Sequence, residues 1–221
     1  MTTLFSKLRV LWILFLPVHL SNAQSGTVSG QLALPANSAS SRVAVEKYKG
    51  KVSGQVDKAP LAVAGVWLER RGLGAPSNPP SITLAQKGYQ FTNSLIVVPK
   101  GTTVFFPNQD NDHHNVYSLS RGNRFDLGRY KKGETPIPSR QFDREGLVRL
   151  RCEIHEHMNA HILVVNSPFF TVTDASGRFT LKNVPAGNYV LRATLNSKVS
   201  YETPISVTAG RTLKLPALQK K

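Results

Sequence analysis

The chain is poor in sulfur, with one cysteine, Cys152, and two methionines, Met1 and Met158. A lone cysteine excludes a disulfide within the chain and leaves a disulfide to another chain, a free thiol or a metal ligand. Acidic residues are also scarce, because 13 Asp and Glu stand against 28 Lys and Arg, which gives a net charge of +15. This surplus favours an acidic protein or a polyanionic envelope surface as the partner.

Long apolar runs are absent too, and a membrane-spanning helix needs about 20 predominantly apolar residues. One shorter run, residues 10–20, follows Lys7 and Arg9 and precedes small residues at 21–23, which is the pattern of an export signal. We therefore expect residues 1–23 to be a signal peptide that is cleaved before Gln24, and a retained membrane anchor is the alternative. The mature protein is expected to be periplasmic or secreted, with no integral membrane span. An exported chain without a recognition motif is not expected to bind nucleic acid.

Sustained helical periodicity is missing as well. Short segments rich in Val, Thr, Phe and Tyr are separated by Gly, Pro, Asn and Asp, which predicts an all-β chain of sandwich or barrel type. A linker rich in Gly and Pro at 72–80 separates residues 24–71 from residues 81–167. The last part, 168–218, has strand and turn patterns but contains no His, Cys or Met.

The residues with metal-binding chemistry are concentrated around Cys152, which is followed by His155 and Met158 at intervals of three residues. In 148–152 apolar residues alternate with arginines, so a strand ending here directs Cys152 into the core. The chain then turns back, which brings His155 and Met158 close to the cysteine. His114 is expected at the start of an upstream strand, and a β-sandwich can place that strand end beside the cysteine loop.

Thiolate, imidazole and thioether form a soft donor set, which selects copper over calcium or magnesium. Two His and one Cys in a plane, with a weak axial Met, form the blue-copper electron-transfer site. We therefore predict one copper ion, cycling between Cu(I) and Cu(II), bound by His114, Cys152, His155 and Met158. Asn115, next to His114, is predicted to hydrogen-bond around the cysteine sulfur and tune the site.

Neighbouring histidines leave alternatives open. His113 would replace His114 if the strand register shifted by one residue, and His157 could compete with His155 or Met158. Zinc is the chemical alternative, although it rarely binds methionine. With only three nitrogen and sulfur ligands and no fourth, a zinc site would be of the catalytic type. No general base stands out to serve such a site, because the glutamates at 153 and 156 are expected to face solvent. The chain is therefore not predicted to be an enzyme.

Three further features are interpreted as structural. His161 is expected at the start of a strand, and Asp110 and Asp112 are expected in a solvated turn. Residues 121–140 are predicted to form a long loop with a short edge strand. This segment is basic, with Arg121, Arg124, Arg129, Lys131 and Lys132, and is interpreted as a solvated loop. Its functional alternative is a dock for an acidic redox partner.

The order of these motifs resembles that of the cupredoxins of the amicyanin and plastocyanin type. The matching segments are Val-Pro-Lys-Gly-Thr-Thr-Val at 98–104, Asn108, His-Asn-Val at 114–116 and Cys-x-x-His-x-x-Met at 152–158. A closer resemblance is to exported bacterial cupredoxin-domain proteins labelled methylamine-utilisation or plastocyanin-like. In these an aromatic residue often precedes the methionine, where this chain has His157. The resemblance implies a Greek-key β-sandwich over residues 81–167.

The flanking segments resemble the two parts of a carboxypeptidase-regulatory-like, transthyretin-like β-sandwich. The first part is carried by 50–56 with 62–68, and the second by 173–181 with 184–189. This order implies that the cupredoxin-like segment is inserted into a small second sandwich of immunoglobulin or transthyretin type.

The leading functional hypothesis is a periplasmic one-electron carrier that meets another redox protein through a small, transient interface. Copper sequestration or delivery is the second hypothesis, with His113, His157 and Met158 as transient ligands. The third is a β-sandwich binding module that holds no metal.

Overall fold

The computed structural model describes residues 25–34, 63–195 and 199–218. The predicted signal peptide and the segment 50–56 lie outside the described residues. The described part of the chain contains fifteen strands and no helix. It therefore has no helix that is long and apolar enough to cross a membrane. The strands are β1 (Ser25–Gln31), β2 (Gly65–Glu69), β3 (Ser81–Thr83), β4 (Leu95–Pro99), β5 (Thr102–Phe105), β6 (His114–Ser118), β7 (Phe125–Tyr130), β8 (Ser139–Phe142), β9 (Gly146–Arg151), β10 (Asn159–Val165), β11 (Phe170–Val172), β12 (Arg178–Pro185), β13 (Gly187–Leu195), β14 (Val199–Val207) and β15 (Thr212–Lys214).

Strands β3 to β10 form one β-sandwich, called sandwich A here. Its larger sheet has the order β4-β10-β9-β6-β7, and its smaller sheet has the order β3-β5-β8. A single cluster of buried side chains fills the space between the sheets, and its largest members include Phe106, Phe142, Leu150 and Ile162. The segment predicted as a loop with an edge strand contains β7, which does lie at the edge of the larger sheet.

The remaining strands form a second sandwich, called sandwich B. Its sheets have the orders β11-β2-β13-β14 and β12-β1-β15. Strand β1 pairs with β12 and β15, and β2 pairs with β11 and β13, so chain segments on both sides of sandwich A share each sheet. The predicted all-β fold with two sandwiches is confirmed, while the exact domain boundaries proposed from the sequence stay predictions.

The two sandwiches pack against each other through a small apolar cluster. Strands β4 and β10 supply Leu95, Leu163 and Val165, and strands β2 and β11 of sandwich B contribute Trp67 and Phe170 among others. The side chains of β10 alternate between the two sandwiches, which explains why its sequence is a continuous apolar run rather than an alternating one. The residues predicted to bind a metal lie near the start of β10, at the end of the strand away from this contact.

Gly65 is the closest point of approach between the sandwiches. A Cβ atom at this position would lie 2.5 Å from Leu163 Cδ2 and 2.9 Å from Val97 Cγ2. We expect Gly65→Ala to lower the free energy of unfolding by about 1–3 kcal/mol, because an added methyl group overpacks the interface. Urea denaturation measures this, with Gly74→Ala as the control, since a Cβ atom there would meet only Asn166 Oδ1 at 3.8 Å. Equal stability of the two variants would contradict the close packing.

Candidate metal centre

Three donor side chains meet at one end of sandwich A. His114 begins β6, Cys152 directly follows β9, and His155 lies in the turn between β9 and β10. Their donor atoms all lie within 4.8 Å of one another. His114 Nδ1 is 3.1 Å from His155 Nδ1, and Cys152 Sγ is 3.9 Å from the same His155 atom.

Strand alternation places the cysteine, as the sequence predicts. Val148, Leu150 and Cys152 are all buried, whereas the intervening Arg149 and Arg151 are exposed. Because side chains of a strand point alternately to opposite faces, Cys152 is directed into the core of sandwich A.

The turn after Cys152 is closed by two backbone hydrogen bonds. The Cys152 amide donates to the Met158 carbonyl at 3.3 Å, and the Met158 amide donates to the His155 carbonyl at 2.9 Å. Met158 is 1% exposed and belongs to the same buried cluster as Cys152. The turn thus holds a cysteine, a histidine and a methionine in one compact segment, and a direct role of Met158 as axial ligand stays a prediction.

The surroundings of Cys152 favour its thiolate form. Burial alone would raise the pKa of the thiol, but hydrogen bonds from His114 and from the backbone amides of Asn115, His155 and Ile154 lower the pKa below its usual value. Hydrogen bonds to the charged form of an acid stabilise that form. A thiolate is also the form in which cysteine binds a metal.

The two imidazoles differ in their preference for a proton. Burial opposes protonation of His114, yet its hydrogen bonds and charge interactions with Cys152 and Asp110 raise its pKa. Burial lowers the pKa of His155, and the neighbouring charges of His114 and His157 lower it further. His114 therefore holds a proton more readily than His155. Because a metal ligand must be deprotonated, metal binding here depends on pH.

Asp110 was predicted to lie in a solvated turn, and this is wrong. Its side chain is only 12% exposed, and its Oδ2 atom accepts a hydrogen bond from His114 Nε2 at 2.8 Å. The backbone amides of Gly88 and Tyr89 donate to the same carboxylate at 2.7 Å and 2.9 Å. Burial would raise the pKa of Asp110, but these hydrogen bonds and that from His114 lower it. An ionised carboxylate on Nε2 fixes the proton there and leaves Nδ1 of His114 for a metal.

Tyr89 is a residue of the site that the sequence analysis did not find. Its ring makes edge contacts with His114 and His155, with ring centroids 5.7 Å and 5.1 Å apart. Its hydroxyl donates a hydrogen bond to Asp112, the second acid of the presumed solvated turn. Tyr89 adopts a φ of 58°, in the left-handed region that non-glycine residues seldom occupy. No sequence motif marks it, because its role depends on a turn meeting a distant loop.

The other histidines lie outside the three-residue cluster. His157 Nε2 donates to the Tyr89 carbonyl at 2.9 Å, and burial lowers the pKa of this imidazole. His113 is exposed, as expected for the solvent-side neighbour of His114. His161 lies within β10 rather than at its start, paired in register with Arg149. Among the described residues, only one group of three potential donors is close enough to bind a metal: His114, Cys152 and His155.

Asn115 connects the site to the neighbouring strand. Its side-chain amide donates to Asp126 Oδ1 at 2.7 Å, and its Oδ1 atom accepts from the Glu153 amide at 3.3 Å. Its backbone amide is one of the groups that lower the pKa of Cys152. The side chain thus holds the start of the turn after Cys152, and the tuning role of Asn115 stays a prediction.

The donor distances fit a single metal ion. Imidazole nitrogen and thiolate sulfur bind a metal such as zinc at about 2.0–2.3 Å, so donor atoms around one ion lie about 3–4 Å apart. The separations of 3.1 Å and 3.9 Å from His155 Nδ1 fall in this range, and all three donor atoms lie within 4.8 Å of one another. Two imidazoles with one thiolate are also the donor set that suits copper.

Comparison with known proteins gives two partial similarities. The model of the carboxypeptidase regulatory-like domain matches residues 157–218, which contain strands β10 to β15. No curated protein matches the chain.

Several solved structures are similar to part of the chain. A copper-containing nitrite reductase from Thermus scotoductus is 24% identical over 39% of this chain and 22% of its own, with a TM-score of 0.37. A purple cupredoxin from Nitrosopumilus maritimus is 20% identical over 38% of this chain and 99% of its own, with a TM-score of 0.34. The Cu(I) form of an amicyanin variant is 20% identical over 38% of this chain and 82% of its own, with a TM-score of 0.35. The chain thus spans about a fifth of the nitrite reductase.

The hydrogen bond between Asp110 and His114 gives a test in the metal-free protein. We expect the ultraviolet absorbance of the Cys152 thiolate to titrate below the usual pH range of a cysteine. Asp110→Asn removes a charge that raises the pKa of His114, so His114 loses its proton at lower pH and the pKa of Cys152 rises. Absorbance titrations of both proteins measure the change, and Asp143→Asn, at an exposed acid, is the control. An unchanged titration in Asp110→Asn would contradict the coupling.

Proposed function

We propose that the chain is an exported copper-binding protein that carries one electron at a time, with His114, Cys152 and His155 as the strong ligands and Met158 as the axial ligand. The observation that carries the proposal is the convergence of two imidazole Nδ1 atoms and one thiolate at distances that suit a single ion. Copper supplies a one-electron couple between Cu(I) and Cu(II) at such a site, and soft sulfur with imidazole accommodates both states.

The protein's own contribution is to hold the donor side chains in fixed positions and to shield them from solvent. His114 is 0% exposed and is fixed at its Nε2 by Asp110, while Cys152 is 2% exposed and is fixed by backbone amides. Donors that are already in place need little rearrangement when the charge of the site changes by one electron. His155 is half-buried and is the most accessible of the three.

The acids described around the site have hydrogen-bond or ion-pair partners, which favours an electron carrier over a catalytic site with a general base. Glu153, directly after Cys152, forms an ion pair with Arg129 at 2.6 Å, and both side chains are well exposed. Asp110 accepts a hydrogen bond from His114, and Asp112 accepts one from the Tyr89 hydroxyl. Export to the periplasm belongs to the same proposal. So does an acidic redox protein or polyanionic surface as partner, which the net charge of +15 supports.

Titration with Cu(II) separates this proposal from its alternatives. We expect the exported protein to bind one copper ion with an intense thiolate charge-transfer band and a reversible redox couple. Cys152→Ser is expected to abolish the band while the β-rich circular dichroism spectrum is retained. Tight Cu(I) binding without the band would indicate copper delivery instead, and the absence of stoichiometric copper would leave only a metal-free binding module. A band that persists in Cys152→Ser would contradict the ligand assignment.

Asp110 provides a second test of the same site. Because it orients His114 for the metal, we expect Asp110→Asn to weaken copper binding by about 10–100-fold, the usual effect of removing such a partner. Competition with a chelator of known affinity measures the loss, and Asp143→Asn is again the control. Equal affinity of Asp110→Asn and the unaltered protein would show that the carboxylate does not support the ligand.

A further inference from the structure

A second feature lies on the opposite face of the strand that carries Cys152. The outward-facing residues of β9 form, with the end of β6, a groove of about 330 Å³, called the basic groove here. It is lined by Leu119, Ser120, Leu147, Arg149 and Arg151. Sandwich B covers the Leu147 end through the apolar cluster between the sandwiches, so the arginine end stays open.

The arginines of the basic groove are not neutralised within the described part of the chain. Arg149 and Arg151 are exposed and form no ion pair with any described residue. Their register neighbours on β10 are His161 and Asn159, and Arg151 also faces Tyr117 of β6. None of these neighbours is an acid. Arginines elsewhere have carboxylate partners, as Arg129 with Glu153, Arg178 with Asp174, and Arg192 with Glu69 and Glu202.

An apolar contact point lies beside these charges. Leu119 is 68% exposed, more than any other large apolar side chain among the described residues. The next residue holds this turn against β9, because Ser120 Oγ accepts a hydrogen bond from the Arg149 amide at 2.9 Å. Arginine is enriched at protein interfaces, and the exposed Leu119 offers an apolar contact beside the two arginines.

We propose that the basic groove docks an acidic protein partner, with carboxylates on Arg149 and Arg151 and an apolar side chain on Leu119. A protein is favoured over a membrane or a polysaccharide because the groove offers an apolar contact beside two charges rather than charge alone.

Its position connects this surface to the proposed function, on which this step rests. Arg151 is covalently bonded to Cys152, so a partner docked in the basic groove lies one residue from a copper ligand. A reduced acidic redox protein would lose one electron there and the copper site would gain one, with no bond formed or broken and no proton moved.

Nuclear magnetic resonance on the metal-free, exported protein tests the docking surface directly. The probe is a glutamate-rich peptide with one leucine, and we expect it to shift the backbone amide signals of residues 117–120 and 147–151. The double variant Arg149→Glu with Arg151→Glu is expected to weaken this binding about tenfold. The control, Lys182→Glu with Lys214→Glu, makes the same change in net charge at exposed positions of sandwich B and is expected to leave the binding unchanged.

The copper-loaded protein gives an independent readout. We expect its reduction by hexacyanoferrate(II), an anionic one-electron donor, to be several-fold slower in the arginine double variant than in the lysine control. Equal rates would overturn the redox role of the groove. Peptide binding that survives the arginine changes would overturn the docking surface itself, as would stronger binding of phosphatidylglycerol vesicles to the same residues. Because the peptide measurement needs no metal, a failed copper titration would remove the electron-carrier proposal and leave this result standing.

Discussion

The hydrogen-bonded pair of Cys152 and His114 is the interaction on which the rest of the site depends. A thiolate inside a protein core is costly unless positive charge or hydrogen bonds compensate it. Here the compensation comes from His114 on one side and from backbone amides of Asn115, Ile154 and His155 on the other. A metal ion at this place would supply positive charge beside the thiolate, as the imidazole of His114 does when it is protonated.

More distant residues support this pair through hydrogen bonds. His114 can carry positive charge inside the core because Asp110 accepts a hydrogen bond from its other nitrogen. Asp110 can remain ionised there because the backbone amides of Gly88 and Tyr89 bind its carboxylate. The unusual backbone conformation of Tyr89 is therefore part of the site, since it directs an amide toward Asp110 and a ring edge toward both imidazoles.

Local sequence patterns were sufficient to predict how the turn after β9 is arranged. The alternation of 148–152 predicted the inward direction of Cys152, and the three-residue spacing predicted that His155 would return beside it. The role of Asp110 could not be predicted, because an acid four residues before a histidine has no fixed relation to it outside a helix. Tyr89 meets the site only because the 86–91 turn packs on the loop around Asn108, through the bridge between Gln86 and Asn108. The close approach at Gly65 depends likewise on how two sandwiches meet, which no single strand pattern reveals.

The strand β9 shows how a single alternation can serve two purposes. Its inward side chains end in Cys152, and its outward side chains end in Arg151, so ligand and surface charge are fixed by the same register. A shift of one residue would bury the arginines and expose the cysteine. Continuous pairing with β10, from Gly146 opposite Val164 to Arg151 opposite Asn159, opposes such a shift. Strand β10 is itself anchored on both faces, by the core of sandwich A and by the contact with sandwich B. Packing between the sandwiches, far from the donors, thus helps to hold the register that places Cys152 beside His114.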